Sequence, residues 1–189
     1  MHLRYEVAHD FLAPEAGREI LTLSRSINAF FRWEFNSCEA LVTGTAVRPI
    51  DFANACPDIA ITSLHYYFPW AIQNLISWSI FCAVTGRSER IDTTSAAWFA
   101  VADDPDLEFG GKLTKYAELA DDYFEVDRYR EFCDTSLASL PELVHTWIAS
   151  QEFDDLLIET VRKTYPAHEH DAFAAHFRGL LSLWVNDNA

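Results

Sequence analysis

Ionisable side chains that fall on apolar helix faces are the places where this chain of 189 residues could do chemistry. Glu34 is the first of them. At about 100° per residue it falls in the middle of a stripe made by Ile27, Phe31, Cys38 and Leu41, where an ionised carboxylate is costly unless paired, hydrogen-bonded or bound to a metal. A neighbouring arginine that neutralises it, or a kink near Asn28 or Arg32 that turns it outward, would account for it without a function. His65 lies on the side of Ile61, Leu64 and Phe68, where a histidine is most often satisfied by a backbone carbonyl. The densest group of ligand-type residues is His168, Glu169, His170 and Asp171, with His176 beyond them. On one helix His170 and His176 flank the apolar stripe from opposite sides while His168 and Asp171 point away, so a single helix could not offer all four to one ion. Glu169 and Asp171 also suit the positive end of a helix dipole. Glu34, His65, His170 and His176 are therefore the candidate metal ligands. A site of two histidines and a carboxylate with open positions suits iron(II) or zinc, and implies oxygen activation or hydrolysis.

Other patterns carry less. Glu142 and His145 have the E-x-x-H spacing of carboxylate di-iron bundles, but the stripe of Leu140, Val144, Trp147 and Ile148 lies nearly opposite them. Both are expected to face solvent, with Glu142 closing a capping box on Ser139. Glu6 and His9 repeat the spacing ahead of the first helix, where it is a coincidence. Asp104, Asp106 and Glu108 alternate like calcium ligands, yet the sixth and twelfth positions counted from Asp104 are Phe109 and Lys115 instead of glycine and glutamate. There is no G-x-G-x-x-G, Walker A, G-x-S-x-G or H-E-x-x-H sequence. A formal charge of −15 with three lysines argues against binding a phosphate backbone, and points to a neutral or basic partner. Cys38, Cys56, Cys82 and Cys133 are widely spaced and read as free thiols; a nucleophilic Cys38 would need a histidine close in space.

These residues have to be positioned by helices. Between Asp58 and Arg87 there is no charged residue, and the run carries Ile72, Leu75, Ile76, Trp78, Ile80 and Phe81. Pro69 divides it into a short helix up to about Phe68 and a second from Pro69 to Thr85, closed by Gly86. Its interruption by His65, Pro69, Gln73 and Asn74 fits a protein core better than a bilayer, and a helix apolar all round belongs at the centre of a domain. The amino terminus lacks the basic and apolar parts of a signal peptide, so a cytoplasmic protein without a membrane span is expected. Upstream, Pro14 starts one long helix, or two in line, whose apolar positions run from Ile20 through Leu41 and Val42 to Gly44; residues 45 to 57 read as a loop with one helical turn. Downstream come a helix capped by Thr93 or Thr94, one from about Leu113 and one carrying Tyr129, Phe132 and Leu137. Ser139 and Ser150 then begin two more, and Pro166 opens the last, with Phe173, Phe177, Leu180, Leu181 and Trp184 on one side. No strand is expected. The predicted fold is an all-α single domain over residues 1–189, a bundle of about seven to eight helices around a buried central helix at about 69–85.

Two function classes fit these residues. The first is a helical binding or accessory subunit that works with a partner protein or enzyme in a biosynthetic or modification pathway, with room for a small-molecule ligand; aromatics are abundant and no catalytic set is complete. The second is a metal-dependent helical-bundle enzyme of the non-haem iron type, built on Glu34 with His65, His170 or His176.

Overall fold

The computed structural model describes residues 14–44, 46–54, 57–87 and 95–188. Among these it is mostly helical, with eight helices of nine residues or more, one single-turn α-helix, two 3-10 turns and a two-stranded antiparallel ribbon. Contacts along the chain gather it into two units, residues 1–57 with 87–131 and residues 58–86 with 132–189. Expected features at Glu6, His9, Cys56, Thr93 and Thr94 lie outside the described residues.

In the first unit, Pro14 and Glu15 open α1 (Pro14–Phe31) as expected. The helix does not continue to Gly44. Arg32 takes a left-handed φ of 63°, its N–H donates to the Ala29 carbonyl at 3.3 Å, and the Trp33 N–H donates to the Asn28 carbonyl at 2.9 Å. This is a Schellman closure with arginine where glycine is usual, which is why the helical pattern reads through it. Past this closure the chain forms β1 (Ser37–Thr43), paired antiparallel with β2 (Ala46–Asn54) and turning at Gly44 with φ 62°. The loop expected over residues 45 to 57 is thus a strand over most of its length, and the expectation of no strands is corrected by this hairpin. Val42, Thr43 and Val47 favour extended backbone, and the ladder is irregular between Glu39 and Ala40, beside the Ala40–Pro49 pair. Asn36 ties the ribbon to α1, donating to Asn28 Oδ1 at 2.7 Å and to the Phe52 carbonyl at 2.9 Å. The helices α4 (Ser95–Asp103) and α5 (Phe109–Tyr123) belong to the same unit. Between them the acidic turn closes on itself: Asp106 N–H donates to Asp104 Oδ1 at 2.9 Å. Ala29, Trp98, Ala120 and Tyr123 are buried together, with Phe30, Tyr116, Leu119 and Phe124 packed on them.

In the second unit, α2 (Ile61–Leu64) passes through a 3-10 turn at His65–Tyr67 into α3 (Phe68–Thr85). Pro69 sits in its first turn and Gly86 closes it at φ 65°, both as read from the sequence. Burial of α3 differs from expectation, since Ile76 and Ile80 are 37 % and 36 % exposed. The helix buries Phe68 and Pro69 at its start and Ser77 and Phe81 further along, and Ile76 and Ile80 each sit about 100° from the buried residue that follows them. The unit boundary falls within α6 (Val126–Ser136). Beyond it, α7 (Leu140–Ile148), α8 (Gln151–Thr164) and α9 (His170–Asp187) bury most of the stripes read for them, including Val144, Ile148, Phe153, Leu157, Val161, Phe177, Leu181 and Trp184, while Leu143 and Leu156 are exposed. Ser150 caps α8 by accepting from the Phe153 N–H at 3.2 Å. Among the described residues no helix is long and apolar enough to cross a membrane.

Candidate functional site

Glu34 sits in the bend between α1 and β1, and its partners come from far along the chain. Tyr123 Oη donates to Glu34 Oε1 at 2.7 Å, and Arg87 Nη2 donates to the same oxygen at 3.3 Å and to the Tyr123 carbonyl at 2.7 Å. Arg87 Nη1 reaches Glu125 Oε1 at 3.1 Å, and Arg128 Nη1 reaches Glu125 Oε2 at 2.6 Å. The guanidinium carbons of Arg32 and Arg87 lie 4.8 and 4.9 Å from the centre of the Tyr123 ring. The Arg87 side chain is only 5 % exposed, so its charge depends on these carboxylates. Burial, then the hydrogen bond and charge of Glu34, push the Tyr123 phenol up to about 12. Arg32 and Glu125, at φ 63° and 51°, both carry left-handed backbone next to this network, which is a cost for non-glycine residues. The carboxylate that the sequence placed on an apolar face is therefore paired with an arginine and hydrogen-bonded by a tyrosine.

The histidines fare differently. His65 has φ 51°; its ring stacks on Phe177 at 5.1 Å and lies 6.3 Å from the His176 ring. His170 is held by the Tyr165 carbonyl, 2.9 Å from its Nε2, and His168 lies 3.7 Å from Glu169 at the surface. Of the four candidate metal ligands, His65 and His176 come together, His170 is satisfied by backbone, and Glu34 belongs to the first unit. No group of three or more His, Cys, Asp or Glu side chains gathers as a metal site among the described residues. His145 does not face solvent as expected: its Nε2 is 3.0 Å from the Val185 carbonyl and its ring is 6.0 Å from that of Trp184. The capping box does not form, because Ser139 makes no side-chain cap and has helical backbone. Cys38, Cys82 and Cys133 are reduced thiols, and burial pushes the Cys38 thiol up against the lowering effect of hydrogen bonds with Ser24 and Asn36, the reverse of an activated nucleophile.

The first unit does enclose an apolar site. A cavity of about 280 Å³ opens between α1, α4 and α5, walled by Phe30, Trp98 and Tyr116, with Phe31 and Phe99 also lining it. Phe30 meets Trp98 and Phe99 edge-on at 5.8 and 6.0 Å, and Trp98 stacks on Tyr116 at 5.5 Å, so the walls brace one another. Ser26 also lines it; the residue is only 7 % exposed, and its Oγ is buried with no hydrogen-bond partner. A buried hydroxyl without a partner is uncommon and costs on the order of 1–3 kcal/mol. The cavity therefore offers aromatic rings on its walls, and the Ser26 Oγ, itself inaccessible, is not presented to it. Trp98 and Ser26 were not singled out by sequence: Ser26 falls among apolar helical positions, and nothing in spacing says that its hydroxyl lacks an acceptor. No protein-family model, curated protein or solved structure matches this chain.

Proposed function

We propose that this protein is a non-catalytic binding protein, an accessory subunit that engages a partner protein by taking one large apolar side chain of the partner into the cavity between α1, α4 and α5. The observation that carries the reading is the aromatic cavity, whose lining is almost wholly apolar. Its volume of about 280 Å³ lies at or below the low end of the range of small-molecule pockets, about 300–1,000 Å³, and suits a single ring or side chain. Phe31 and Phe99 at its mouth are 46 % and 55 % exposed; a small ligand would leave them wet, whereas a protein surface would cover them. The charge of −15 favours a neutral or basic partner surface around that anchor.

The test uses the full chain and Phe99→Glu, a change at an exposed position. Proteins from the source cells retained by wild type and lost by Phe99→Glu are purified and titrated against both. Binding weakened at least about tenfold by Phe99→Glu, as for a rim anchor, supports the reading. Equal binding by both, or a cavity that is saturated by a small aromatic compound while no protein is retained, overturns it. The metal-dependent alternative has the adjacent rings of His65 and His176 in its favour. Stoichiometric iron or zinc in protein purified without a metal-binding tag would support it.

A further inference from the structure

A second cavity, independent of the first, lies in the second unit between α3, α7 and α9 and measures about 480 Å³. Trp70 and Trp184 line it together with Gln73, Glu142, His145 and Asn188. Its polar lining is weighted toward acceptors. Glu142, exposed in the first turn of α7, supplies a carboxylate, and Ser139 makes no side-chain cap there. The His145 Nε2 donates to the Val185 carbonyl at 3.0 Å. Asn188 Nδ2 donates to the Trp184 carbonyl at 2.8 Å, which leaves its Oδ1 to accept. Gln73 can accept through its carbonyl oxygen, and neither lysine nor arginine lines the cavity. Two indoles, the best faces for a cation, and one carboxylate, with no lysine or arginine, make a site that disfavours anions and attracts a cation with an apolar body. We propose that this cavity binds an organic ammonium ion, its charged head between the indoles and the Glu142 carboxylate. The volume is within the range of small-molecule pockets, about 300–1,000 Å³, and large enough for a methylated ammonium group with a short chain.

The test compares choline with 3,3-dimethylbutan-1-ol, which has the same shape and no charge, by tryptophan fluorescence and calorimetry on the full chain. Choline should bind saturably, and the neutral isostere at least about tenfold more weakly. Trp70 is 61 % exposed and Glu142 is exposed, so Trp70→Ala and Glu142→Gln are expected to fold; each should weaken choline about tenfold or more. Equal affinity for the isostere, unchanged choline binding in both variants, or no saturable choline binding at millimolar concentration overturns the proposal. Phe99→Glu, in the other unit, should leave choline binding unchanged, so the fate of this site is read separately from that of the aromatic cavity.

Discussion

The two units fill their interiors by different means. Among the described residues, thirteen of the buried apolar side chains belong to the second unit and five to the first, and three of those five are alanines. In place of bulky aliphatic side chains, the first unit holds Arg87, Glu34, Glu125 and Tyr123 in a hydrogen-bonded network, with a cavity beside the same aromatic cluster. The second is filled by Phe153, Leu157, Val161, Phe177 and Leu181, contributed by two neighbouring helices. Packing in the second unit is additive in small steps, whereas a charge network fails when one member is removed and leaves the others buried and unpaired. The same sparseness in the first unit leaves room for an outside group.

The contrast can be tested by taking one member from each interior. Arg87→Ala leaves Glu34 without a cation and Glu125 with Arg128 alone, and should cost about 3–5 kcal/mol in urea unfolding, since breaking a buried pair leaves an uncompensated charge. A loss below about 1 kcal/mol would mean that packing, not charge, holds the first unit. Leu157→Ala, at a residue 1 % exposed, should cost about 2–5 kcal/mol by the same measurement. Calorimetry of the two variants should show whether each loss is confined to the transition of its own unit.

Smaller changes refine the picture. Glu34→Gln keeps an acceptor for Tyr123 but removes the charge facing Arg87, so a loss of about 1–3 kcal/mol is expected, with melting of both proteins unaffected by a chelator. A wild type destabilised by chelation and a variant indifferent to it would instead assign Glu34 to a metal. The Tyr123 phenol is raised from an ordinary value of about 10 to about 12 in the folded protein. Its stabilising contribution is complete below about pH 10 and is lost as pH rises through about 12, so alkaline melting should fall across that window. In Tyr123→Phe the fall should be shallower; an unchanged profile would remove Tyr123 as its source. The smallest effect is expected at Ile76, whose exposure of 37 % limits the loss in Ile76→Ala to about 1 kcal/mol or less, and urea unfolding checks it.

Local signals were legible wherever they act within a turn of their own position. Pro69, Gly86, Ser150 and the apolar stripes of α7, α8 and α9 are where the residue types put them, because proline geometry, a left-handed glycine, a side-chain cap and a repeat of about 3.6 residues need no distant partner. Glu34 was legible as a carboxylate in need of a partner, but its helical angle was drawn through Arg32, where arginine supplies the left-handed closure usually given by glycine. Which partner it has was decided by the fold: Arg87 lies 53 positions away and Tyr123 lies 89. His145 found the Val185 carbonyl 40 positions on, and α3 was left with an uncovered side although its sequence has no polar face to expose. Spacing along one helix states which residues share a side; which side is covered, and what meets a buried charge there, depends on elements that the chain brings together only when it folds.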